Sequence, residues 1–165
     1  MSRAKKVYFP KIRLQEMLNR PGGISRDQAL EGAISNLDDM KGEGNIIIEN
    51  AIAAIEALSA QVNGGKLAPE VMKEILEQAD QVVTLAGTFA YVALDRAARG
   101  LCDITDGLMQ AGKGDAAPVL VHVRALRMFA PRSIPLGKEA SDQVLAELEK
   151  IMVFYDLRPL AEPAG

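Results

Sequence analysis

The stretch ISRDQALEGAISNLDDMKGEGNIIIENAIAAIEALSAQV, residues 24–62, decides how this chain folds. Ser25 is a candidate N-cap, and Gln28 three residues later completes a capping box, which satisfies two backbone donors that a helix start leaves unpaired. Ile24 can staple onto Ala29 or Leu30. Behind the box, Leu30, Ala33, Ile34 and Leu37 recur at helical spacing. The stripe resumes in register as Ile47, Ile48, Ala51, Ile55, Leu58 and Val62. Between the two runs lies Lys41-Gly-Glu-Gly44, whose glycines cost a helix about 2 kcal/mol relative to alanines. The unbroken register predicts one long helix with a weak point there, two helices being the alternative. Asn63-Gly-Gly65 is expected to end it, with Asn63 or Gly64 in the left-handed cap conformation.

The same reading extends outward. Pro69 suits a helix first turn, where its missing N–H is harmless, and opens a stripe of Met72, Ile75, Ala79, Val82, Val83 and Ala86. Ala86-Gly-Thr-Phe89 is the expected break, with Thr88 as a cap. A third helix carries Ala90, Leu94, Ala97, Leu101, Ile104 and Leu108, and ends in Gly112-Lys-Gly114. A fourth is capped by Asp115, has Pro118 in its first turn and stops near Phe129, because Pro131 and Pro135 forbid continuation. The last has the stripe Val144, Leu148, Ile151 and Tyr155. No run alternates with strand period. The expected fold is all-α: an antiparallel bundle of about five helices with a basic N-terminal arm. The organisation follows as an arm over residues 1–23 with a possible short helix, one bundle domain over 24–156, and a tail over 157–165.

Composition narrows the chemistry. The chain has 165 residues, enough for a core without staples. Hydrophobic residues are 48% and aromatics only 4%, so the core must be aliphatic. One histidine and one cysteine exclude an internal disulfide and a cysteine-based zinc site, and no cofactor or metal is expected. A net charge of −3 gives no reason to expect nucleic acid. No apolar run approaches the roughly 20 residues that span a bilayer. The basic start lacks the apolar run of a secretory signal. The expected location is the cytoplasm.

Few groups are candidates for a site. His122, in Val121-His-Val-Arg-Ala-Leu-Arg127, sits at the edge of a stripe made by Val119, Val123, Leu126 and Ala130. It reads either as a packed boundary histidine or as the phosphoacceptor of a phosphotransfer module. Phosphotransfer domains present His-x-x-Lys-Gly; here those positions are Ala125 and Leu126, so the phosphate-holding lysine is missing. Arg124, Arg127, Arg132 and Lys138 form an acid-free stretch that suits an acidic partner surface. Lys5, Lys6, Lys11 and Arg13 make the arm a second candidate contact, the alternative being an arm folded onto the acidic body. Asp95, Arg99 and Asp103 read as an exposed charge ladder at i, i+4 spacing. Glycine pairs follow helices, not strands, so they are not phosphate loops. Cys102 reads as a small core filler.

Three segments together, Asn19-Arg-Pro-Gly-Gly-Ile-Ser-Arg-Asp-Gln-Ala-Leu-Glu-Gly-Ala33, Gly100-Leu-Cys-Asp-Ile-Thr-Asp106 and Val121-His-Val-Arg-Ala-Leu-Arg127, resemble the small CheE-like proteins encoded within chemotaxis operons of alphaproteobacteria. The likeness covers roughly residues 11–155. It implies a signalling context and no reaction. The expected function is a non-enzymatic helical adaptor that binds a protein partner in chemotaxis or two-component signalling, with a homodimer plausible from the long apolar stripes. The alternatives are phosphotransfer through His122 and a small-molecule-binding bundle, which a large apolar cavity lined by small residues around 86–101 would support.

Overall fold

The structure, a computed structural model, describes residues 25–157, without the side chains of Leu37 and Asp38. The arm, with Lys5, Lys6, Lys11, Arg13 and its expected short helix, lies outside the described residues. Five helices form among the described residues: α1 Arg26–Ser59, α2 Pro69–Thr88, α3 Val92–Gln110, α4 Ala116–Met128 and α5 Lys138–Phe154. The fold is an all-α helical bundle, and no strand occurs among the described residues. The chain divides into two compact units, Met1–Asp39 and Met40–Gly165.

In the first unit the described residues are the opening of α1. The capping box forms as the sequence indicates: the Ser25 N–H donates to Gln28 Oε1 (3.1 Å) and the Gln28 N–H to Ser25 Oγ (3.2 Å). The helix is single and passes through Lys41-Gly-Glu-Gly44. It ends at Ser59, earlier than the Asn63 expected, and Gly64 and Gly65 take the left-handed conformation in the following loop, at φ 59° and 79°.

Gly44 is not merely a weak point. It is buried, and a β-carbon there would overlap the Phe89 ring. The turn that carries Phe89 is held to α1 further by the Tyr91 hydroxyl, which donates to Asn45 Oδ1 (2.8 Å), and by Lys41 over the Tyr91 ring (5.1 Å). This turn replaces the break expected at residues 86–89. α2 continues through Thr88, whose hydroxyl donates back to the Thr84 carbonyl instead of capping α3. The reversal falls on Ala90, which accepts φ 57°.

The core of the second unit is aliphatic. Ile48, Ile52 and Ile55 of α1 join Met72, Ile75, Ala79, Val82 and Ala86 of α2 and Leu94, Leu101, Ile104 and Leu108 of α3. α2 lies along α3, and α3 also packs on α4 and α5. Ile47 is exposed where the stripe placed it inside, and Ile52 takes its place. On α5 the buried face is Leu145, Leu148 and Met152, one position from the Val144, Ile151 and Tyr155 expected, which are only half-buried. Two loops are stitched together: the Leu67 N–H donates to the Gly114 carbonyl (2.8 Å) and the Ala116 N–H to the Gly65 carbonyl (3.0 Å). No helix among the described residues is long and apolar enough to cross a membrane.

Candidate functional site

The opening of α1 repeats a piece of the core. Residues 30–37 read LEGAISNL and residues 48–55 read IENAIAAI. Eighteen residues are five α-helical turns, so Leu30, Glu31, Ala33 and Ile34 hold the helical positions of Ile48, Glu49, Ala51 and Ile52. The second octet is core: Ile48, Ile52 and Ile55 are 0% exposed. In the first, Leu30 is 57% and Ile34 51% exposed, and Ala33 is exposed with them. Arg26, one turn before Leu30, and Asp27 and Glu31 stand beside these residues, also exposed. A helix that is apolar on one face normally buries it. Leu30 and Ile34 continue the register of the core stripe, so spacing alone does not separate them from it.

The expected basic face does not survive intact. Arg127 turns inward to α1. Its Nη2 and Nε bond Glu56 (2.5 and 2.8 Å), and its Nη1 bonds Glu49 (2.8 Å). Glu49 also accepts the Arg132 backbone N–H (2.8 Å). The guanidinium holds the Glu56 carboxyl below its ordinary range, and that bond raises Arg127 in turn. Arg127 is therefore a clamp between α4 and α1, joining groups about seventy residues apart. Arg124 and the Arg132 side chain remain exposed, as does Lys138.

His122 lies deeper than its place at the stripe edge suggested, at 0% exposure. Its Nδ1 bonds the Pro118 carbonyl one turn back (2.8 Å). A carbonyl only accepts, so Nδ1 carries the proton and Nε2 is left as an acceptor. No described group bonds Nε2. Burial holds the imidazole below its ordinary pKa, against the opposing effect of the Pro118 bond. Accepting a phosphoryl group from another protein requires an exposed nitrogen, and this ring presents none.

The imidazole floors a cleft of about 350 Å³ whose lining also includes Arg96, Gly100 and Asp103 of α3 and Leu148, Glu149 and Met152 of α5. Of the small residues around 86–101 expected to line a cavity, Gly100 lines this cleft, whereas Ala86, Ala97 and Ala98 are buried in the core. The charge ladder is half formed. Arg99 Nε bonds Asp95 (3.0 Å), while Arg96 reaches across to Glu149 (2.7 Å). Asp103 is half-buried, and desolvation raises its carboxyl in spite of Arg99. Cys102 is pushed up to about 12, mainly by burial, so it is a poor nucleophile. Among the described residues no group of three His, Cys, Asp or Glu side chains could hold a metal ion.

No protein-family model matches the chain, and no curated protein and no solved structure shows significant similarity to it.

Proposed function

We propose that this chain is a non-enzymatic adaptor that binds a protein partner through the opening of α1. The observation that carries this reading is the exposed pair Leu30 and Ile34, copies by position of the buried pair Ile48 and Ile52. Exposed apolar side chains on a helix, rimmed by charge, suit an amphipathic helix laid alongside. The rim here is of mixed charge, with Arg26, Asp27 and Glu31. The partner element is therefore an amphipathic helix whose apolar stripe is flanked by both acidic and basic residues. Arg124 and Arg132 are a second proposed contact, for an acidic part of the same partner. The setting, chemotaxis or two-component signalling, rests on the CheE-like segments, and the cytoplasm is its natural location.

A photo-crosslinking residue at position 34, in the cells that make the protein, tests this. The expected result is one adduct whose linked peptide is an amphipathic helix of another protein. It should be lost with Leu30→Asp and absent when the crosslinker sits at exposed Glu77. In the same cells, Leu30→Asp/Ile34→Asp protein should fail to restore signal-directed swimming to a strain lacking the gene. No adduct, or an adduct only to this chain's own residues 1–23 or to a second copy, would overturn the reading.

A further inference from the structure

The cleft above His122 is independent of the α1 face and has its own chemistry. Its walls are apolar where α5 contributes Leu145, Leu148, Met152 and Val153. Its volume, about 350 Å³, falls at the small end of ligand pockets. The charges that line it balance, Arg96 and Arg99 against Asp103 and Glu149, and Arg96 bonds Glu149 directly. Nothing there favours an ion. The unmatched group is the buried Nε2 acceptor, and a buried polar atom without a partner calls for one.

Gly100 keeps the ring edge clear. A β-carbon at that position would stand 3.3 Å from His122 Cδ2 and 3.5 Å from Nε2. Met152, unbranched and with three rotatable bonds, is the wall most able to shift and let a group reach the imidazole.

We infer that the cleft between α3 and α5 binds a small uncharged molecule with an apolar body and one hydrogen-bond donor, directed at His122 Nε2. Indoles, phenols and alcohols have this chemistry. The protein supplies an acceptor in apolar surroundings, so it selects molecules carrying N–H or O–H over isosteres that lack it.

The single histidine makes the test direct, because the full-length chain labelled with ¹⁵N-histidine has one imidazole. Indole and 1-methylindole differ by the donor. Titrated separately, indole should move the Nε2 resonance saturably, and 1-methylindole should bind about tenfold more weakly or worse. Gly100→Ala should abolish the indole response while far-UV circular dichroism and melting temperature stay at or above the wild-type values. The comparison of the two ligands on unmodified protein stands even if that variant folds poorly. An Nε2 resonance that indole leaves unmoved, or equal affinity for the two ligands, overturns the proposal. So does a folded Gly100→Ala protein that binds indole as the wild type does.

Discussion

Residues 30–37 and 48–55 of α1 have nearly the same helical pattern and opposite surroundings. Ile52 is sealed in the bundle and Ile34 is half in water. Glu49 bonds Arg127, whereas Glu31 is exposed. The pattern makes either octet a face that can be buried. What decides is whether a neighbour is present, and for the second octet it is supplied by the rest of the bundle.

Substitutions at equivalent positions should separate the two octets. The largest difference is expected for aspartate. Ile52→Asp places an unpaired charge in the core and should cost at least about 4 kcal/mol, enough to unfold a marginal domain, and Leu101→Asp should do the same. Ile34→Asp should stay within about 0.5 kcal/mol. Urea denaturation of the variants gives both numbers. Truncation follows: Ile48→Ala should lose about 2–5 kcal/mol, Leu30→Ala about 0.5 kcal/mol or less. A similar loss in both would mean that the first octet is also packed.

Acid should act on the bundle, where Glu56, Asp103 and His122 are shifted. His122 has a folded-state pKa below its unfolded value of about 6.5. The unfolded chain binds the proton first, so stability is complete above that value. It falls by up to about 1.4 kcal/mol per pH unit as pH drops from 6.5 towards the folded-state pKa. The Glu56 contribution is lost at lower pH still, because its folded-state pKa is lowered; Asp103, raised, works in the opposite sense. Replacing His122 by Gln should flatten the slope of stability against pH between 5 and 6.5. An unchanged slope would mean that the ring titrates normally. Effects at glycines should follow the space around each. Gly44→Ala gains about 1 kcal/mol of helix propensity but collides with Phe89, for a net loss of about 1–2 kcal/mol. Gly32→Ala has open space around it and should stabilise by about 0.5–1 kcal/mol.

The bundle was legible because helical period is a local property. Met72, Ile75, Ala79, Val82 and Ala86 are buried as their spacing requires. Where two apolar residues adjoin, as Val144-Leu145 and Ile151-Met152 do, the pattern fits either choice, and contact with α3 and α4 selects Leu145 and Met152. Gly44 reads as a helix flaw until Phe89, far along the chain, is seen resting on it. Arg127 reads as free surface charge until Glu49 and Glu56 are brought to it. The depth of His122 and its cleft depends likewise on α3 and α5 closing around one ring. Each of these is a long-range pairing that local sequence does not encode.

The contrast between the octets can be read directly with thiols. In a Cys102→Ala background, a single cysteine at position 34 or at position 52 is exposed to Ellman's reagent under native conditions. Ile34→Cys should react within about tenfold of the unfolded chain, and Ile52→Cys about a thousandfold more slowly, since it must wait for the bundle to open. Equally slow labelling at both positions would contradict the exposed face on α1.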